Sequence, residues 1–98
     1  MKIHERRKEV LVAVCDEDLV GEVISDGEFS LTIRESFYGS ESFCEERVLE
    51  ALKGASICNL VGEQSVGVGI KEGFIRDDMV LEVDGVPHAQ MVTFSGSK

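Results

Sequence analysis

The chain has 98 residues, and valine, leucine, isoleucine and phenylalanine supply 31 of them. That is well above the roughly 20% below which chains stay disordered, so one domain with one modest core is expected over residues 1–94, with 95–98 as a disordered tail. Residues 1–8 carry a charge of +3 and residues 9–98 carry −12, together the formal −9; a field of that sign repels phosphate backbones and argues against direct nucleic-acid binding by the body of the fold.

Residues 2–6 and 9–15 read as two strands around a charged turn. The run Val10-Leu11-Val12-Ala13-Val14-Cys15 is apolar without alternation, the pattern of a central strand covered on both faces. Asp16-Glu17-Asp18 ends it, and residues 19–25 form a short irregular or extended piece. Asp26-Gly27 supplies a tight hairpin turn. Beyond it Phe29, Leu31 and Ile33 alternate with Ser30, Thr32 and Arg34, a half-buried strand with one wet face.

Ser42-Phe43-Cys44-Glu45 has the spacing of a capping box. The helix behind it is predicted to run to Lys53 and to stop at Gly54 in a left-handed cap, with Cys44, Val48, Ala51, Leu52 and Ala55 as its apolar stripe. Residues 56–61 form a short apolar strand or buried turn. A second helix over 63–72 places Val66, Ile70 and Phe74 on one side and ends at Gly73; Gly67 and Gly69 each weaken it by about 1 kcal/mol against alanine. Residues 79–83, the turn Asp84-Gly85 and residues 86–94 make a closing hairpin. The fold class is α+β: a mixed, mostly antiparallel sheet with two helices on one face, in a two-layer single domain.

The longest apolar run is far short of the ~20 residues of a membrane helix, and no export signal follows the basic start. Three scattered cysteines make no disulfide framework, so a cytoplasmic setting is expected. Their gaps lack zinc-site spacing, and Cys15 and Cys44 fall on predicted apolar faces as core thiols. Gly67-Val68-Gly69 lacks the spacing of a nucleotide loop, and no cofactor is expected. Asp16 and Asp18, placed after a buried strand, could present oxygens to a hard cation; the plainer reading is a capping or solvated pair. Phe37 and Tyr38 form either a recognition surface or a lid on the core. Pro87 argues for an edge strand, on which His88 and Gln90 lie side by side as a docking rail or a dimer seam.

The stretches 10–21 (Val-Leu-Val-Ala-Val-Cys-Asp-Glu-Asp-Leu-Val-Gly), 35–39 (Glu-Ser-Phe-Tyr-Gly), 59–63 (Asn-Leu-Val-Gly-Glu) and 85–90 (Gly-Val-Pro-His-Ala-Gln) together resemble a small archaeal family classed as a domain of unknown function, number 424. The resemblance covers nearly the whole chain. It implies a shared surface at Asp16, Phe37, Tyr38, Gly39, Asn59, Gly62, Glu63, Pro87, His88 and Gln90, and its archaeal setting implies an association with translation or RNA handling. Two functions are expected of such a chain. One is a non-catalytic binding or adaptor module for a protein or ribonucleoprotein partner, with a homodimer as an option. The other is a small metal-assisted hydrolase with Asp16 and Asp18 on a cation, His88 as base and Asn59 orienting substrate. The second requires Asp16 and His88 on the same side of the fold.

Overall fold

A computed structural model of the chain describes residues 1–40 and 42–92; the predicted end of the last strand at 93–94 and the predicted tail at 95–98 lie outside the described residues. Seven strands form among the described residues: β1 (Lys2–Arg6), β2 (Glu9–Cys15), β3 (Val23–Asp26), β4 (Phe29–Thr32), β5 (Ile57–Val61), β6 (Leu81–Val83) and β7 (Val86–Val92). Three helices accompany them: α1 (Glu35–Tyr38), α2 (Glu45–Lys53) and α3 (Glu63–Lys71). Five strands make one sheet in the order β1-β2-β5-β7-β6, in which β2 and β5 are parallel and every other pair is antiparallel. Helices α2 and α3 cover one face, and the α+β reading stands.

The apolar run of β2 is buried on both sides because it lies inside the sheet with a layer on either face. Val12 and Val14 point into a core with Val48 and Leu52 of α2 and Val66 and Val68 of α3. Ala13 and Cys15 point the other way, toward Ile24, Ile33 and Tyr38. This opposite face is partly covered by α1 and by the β3–β4 hairpin, which pairs only with itself. The alternation is therefore real for Leu31 in β4 and for Ile33 just after it, whereas Phe29 sits near the hairpin tip and stays half exposed at 53%.

Several local expectations give way to tertiary contacts. The capping box at Ser42 does not form: α2 starts at Glu45 with Cys44 as an N-cap that makes no side-chain bond. Ser42 thus stands outside the cap position, and the Phe43 N–H donates instead to Glu17 Oε1 at 2.9 Å. Gly54 closes α2 at φ −101°, outside the left-handed region, and Cys44 is exposed. In α3 the buried side is Ser65, Val66, Val68 and Gly69, while Ile70 is exposed. Gly69 sets this rotation, since a Cβ there would come 2.6 Å from Leu60 Cδ1 and 2.9 Å from Ile75 Cγ1.

Pro87 does not mark an edge: β7 lies between β5 and β6. The hairpin explains how. Val83 and Val86 close the two-residue turn, so the next pair, Glu82 and Pro87, is the non-hydrogen-bonded one. The proline nitrogen therefore faces β5 where that strand has just ended, and the Pro87 carbonyl accepts from Gly62 N at 2.9 Å. An interior proline is tolerated because no ladder donor was needed at that position.

The cysteines separate by exposure. Burial pushes the Cys15 and Cys58 thiols up to about 11, and both are closed off, whereas Cys44 faces solvent. An aromatic disulfide reagent at neutral pH should release one equivalent of chromophore from the folded chain and three after denaturation. Fast reaction of a second thiol in the native state would contradict this core.

Candidate functional site

The site is built where β2 and β5 end together. Cys15 pairs with Val61 as the last register position, and Asp16 N donates to Val61 O at 3.0 Å. The Asp16 side chain then turns to the first turn of α3. Its Oδ2 accepts from Gln64 N at 3.1 Å, and its Oδ1 accepts from Ser65 N and Ser65 Oγ, both at 2.9 Å. A helix start leaves backbone donors without partners and carries partial positive charge. Gly62 occupies the N-cap with no side chain to offer, so a carboxylate 46 positions earlier in the chain does the capping. Gly62 has φ +107°, and a Cβ on it would overlap the Asp16 carboxyl group. Asp16, Gly62 and Pro87 thus form one locked corner.

Around this corner opens a cavity of about 710 Å³. Glu17, Asp18 and Glu63 line it with carboxylates, and Leu19, Phe43 and Pro87 add apolar surface. Among the described residues, its lining holds no histidine, lysine, arginine, serine, threonine, cysteine or tyrosine. Such a wall attracts cationic and amphipathic groups, and it offers no nucleophile with a neighbouring base.

The ten residues singled out from the sequence fall into three places. Asp16, Gly62, Glu63 and Pro87 meet at the cavity. Asn59, His88 and Gln90 lie on the sheet face opposite α2 and α3: Ala13, Asn59 and Gln90 form one cross-strand row, and Cys15, Val61 and His88 form the next. Asp16 caps a helix on the α2–α3 side, so Asp16 and His88 leave the sheet in opposite directions. The set required by the hydrolase reading is therefore not assembled, and among the described residues no three of His, Cys, Asp and Glu gather as metal ligands.

Phe37, Tyr38 and Gly39 form the third group, at α1 against β1 and β2. Tyr38 is buried, its ring edge-on to Phe37 at 4.9 Å. Phe37 stacks on His4 at 5.0 Å, and His4 Nε2–H donates to the Phe37 carbonyl at 2.8 Å. Gly39 has φ +81°, and a Cβ there would come within 2.8 Å of Met1 O. These residues strap α1 to the start of the chain.

Sequence reasoning missed Ser65, Phe43 and Glu17. A signal for Ser65 existed: α3 begins Gly-Glu-Gln-Ser, with no capping side chain at its head. Its orphan donors therefore had to be satisfied from elsewhere.

His88 is half-buried, and desolvation lowers its pKa from the ordinary 6.5. The unfolded chain then binds the proton more readily than the folded one, so stability is fully present above about pH 6.5 and falls as pH drops from there toward the native pKa. Melting temperatures of the natural chain and His88→Gln, followed from pH 7.5 to pH 5, should show a smaller decline in the variant. Parallel curves would refute the desolvated imidazole.

A family profile described as protein of unknown function (DUF424) matches residues 4–94. No curated protein matches the chain. Among solved structures the chain is similar to an uncharacterized conserved protein from Methanopyrus kandleri, at 32% identity and a TM-score of 0.77, with 94% of this chain and 90% of that one covered. No helix among the described residues is long and apolar enough to cross a membrane.

Proposed function

The chain belongs to the DUF424 family, and for it we propose a non-catalytic binding role in which the strand-end cavity engages a protein, alone or as the protein part of a ribonucleoprotein. The observation that carries this reading is the composition of the cavity. Its most buried carboxylate, Asp16, is fully engaged within the fold, and what remains facing solvent is Glu17, Asp18 and Glu63 beside Leu19, Phe43 and Pro87. Loops and strand ends held on a rigid sheet are where contact residues concentrate. The acidic surface disfavours bare RNA or DNA as the direct ligand and suits a protein that carries cationic groups, as proteins bound to RNA do. An association with translation or RNA handling is consistent with such a partner.

The test is site-specific crosslinking. A photoreactive phenylalanine analogue at position 43 should capture a defined polypeptide from an extract of the protein's own cells, and Glu63→Lys should abolish the capture. The same analogue at Val23, on the β3–β4 hairpin and outside the cavity lining, should not capture it. Identical products from both positions, or insensitivity to Glu63→Lys, would remove the cavity as the binding surface.

A further inference from the structure

The inference here rests on that binding role and gives the partner its chemistry. The strand-end cavity continues past Glu63 and Pro87 as a second hollow, about 410 Å³, along the flank of α3 toward β6. Val66, Ile70 and Val80 make its wall apolar, and Glu63, Asp77 and Glu82 make its rim acidic. Among the described residues, no lysine, arginine or histidine lines either hollow. The neighbouring cations are engaged elsewhere: Lys71 pairs with Glu45 at 2.8 Å, and Arg76 pairs with Asp78 at 2.8 Å. Among the described residues, Glu63, Asp77 and Glu82 have no cationic partner.

Gly67 points to the same surface. Glycine weakens a helix interior relative to alanine. Gly69 has a reason inside the fold, because a Cβ there would strike Leu60 and Ile75. Gly67 has none: it is exposed, its φ is not in the left-handed region, and nothing lies within 4 Å of where its Cβ would stand. Yet it lines the groove. A bare backbone set between an apolar wall and an acidic rim fits the close passage of another backbone.

We infer that the groove along α3 holds a basic segment of a partner polypeptide, whose backbone crosses Gly67, whose lysine or arginine side chains pair with Glu63, Asp77 and Glu82, and whose aliphatic side chains rest on Val66, Ile70 and Val80. Both features favour a peptide over a small polyamine, which would use the carboxylates and leave the apolar wall and the clearance at Gly67 unused.

The experiment uses the full chain, isotope-labelled, titrated at low salt with a short peptide of lysine, leucine and alanine. Amide shifts should concentrate at residues 63–70 and 80–82. Glu63→Gln with Glu82→Gln should weaken binding about ten-fold, and Gly67→Leu should block it. Gly67→Ala should raise the melting temperature by about 4–8 °C, as at an exposed helix position with no packing constraint. The inference is overturned by shifts elsewhere, by an equal response to a glutamate peptide or to spermidine, or by a Gly67→Ala variant that melts lower. It is also overturned if the groove is filled by a second copy through its Arg6-Arg7-Lys8 turn, seen as self-association that Arg7→Glu abolishes. If Phe43 crosslinks a partner but the peptide fails, the binding role stands and the basic segment falls; if both fail, both fall.

Discussion

Asp16→Ala is expected to destabilise the chain by about 3 kcal/mol, more than an ordinary N-cap loss of about 0.5–2 kcal/mol. The excess arises because the carboxylate accepts three bonds at once, from Gln64 N, Ser65 N and Ser65 Oγ. Asp16 and Ser65 are both buried, and a buried donor left unpaired costs about 1–3 kcal/mol. In a domain of this size the loss corresponds to a fall of about 12–24 °C in melting temperature. Asp16→Asn keeps the shape but has one acceptor oxygen where two are used, so its loss should be intermediate. Gly62→Ala should be comparably severe, from its φ of +107° and from the overlap of the new Cβ with the carboxyl group. The double variant should lose less than the two single losses added together, since the group that the methyl strikes has gone. Urea unfolding of the natural chain and the four variants measures all of this. An Asp16→Ala midpoint equal to the natural one would mean that the carboxylate is not the cap, and would return it to the list of ligand-binding groups.

What the sequence made legible was the local physics. An unbroken apolar run became the buried β2, and two Asp-Gly turns became two hairpins. At Asp84-Gly85 both residues take positive φ, 53° and 80°, as a tight two-residue turn asks. At Asp26-Gly27 only the glycine does, because Asp26 pairs with Phe29 and the loop is Gly27-Glu28. The signal found the turn and misjudged its register by one residue.

What stayed hidden was every arrangement decided at long range. Asp16 reads locally as a strand-ending acid, and its capping role depends on a helix that starts 47 residues later. Ser42-x-x-Glu45 reads locally as a cap, yet helix α2 starts at Glu45 itself. The edge reading of Pro87 failed because the proline rule concerns a ladder donor, and alternation within the hairpin turned that nitrogen toward the end of a strand. Periodicity assigned Ile70 to the core of α3, but the close contact of Gly69 with Leu60 and Ile75 rotates the helix and leaves Ile70 outside. The family motifs were visible as strings; that they part into a cavity, a sheet face and a strap follows from the parity of side chains along β5 and β7.

Tyr38→Ala is expected to cost about 3–5 kcal/mol, the range for truncating a buried aromatic side chain, while His88→Ala should stay near 1 kcal/mol because His88 is only half-buried. The pair discriminates between packing and display for two residues that the family motifs singled out together. Tyr38 closes the core shared by Cys15, Ile24, Ile33 and Val61, so alanine leaves a cavity that the hairpin and α1 cannot both move to fill. Tyr38 is the only tyrosine and the chain has no tryptophan, which makes the phenol its own reporter. Burial, with a smaller contribution from Cys15, raises its pKa from 10.0 to about 12. The folded chain keeps the phenol proton that the unfolded chain releases, so stability present below about pH 10 is lost as pH climbs toward 12. Near-ultraviolet absorbance should therefore show the native phenol ionising about two units later than the denatured one, with unfolding promoted across that window. A phenol that ionises near pH 10 in the folded chain would place Tyr38 on the surface, and a Tyr38→Ala variant of unchanged stability would return it to the candidates for recognition.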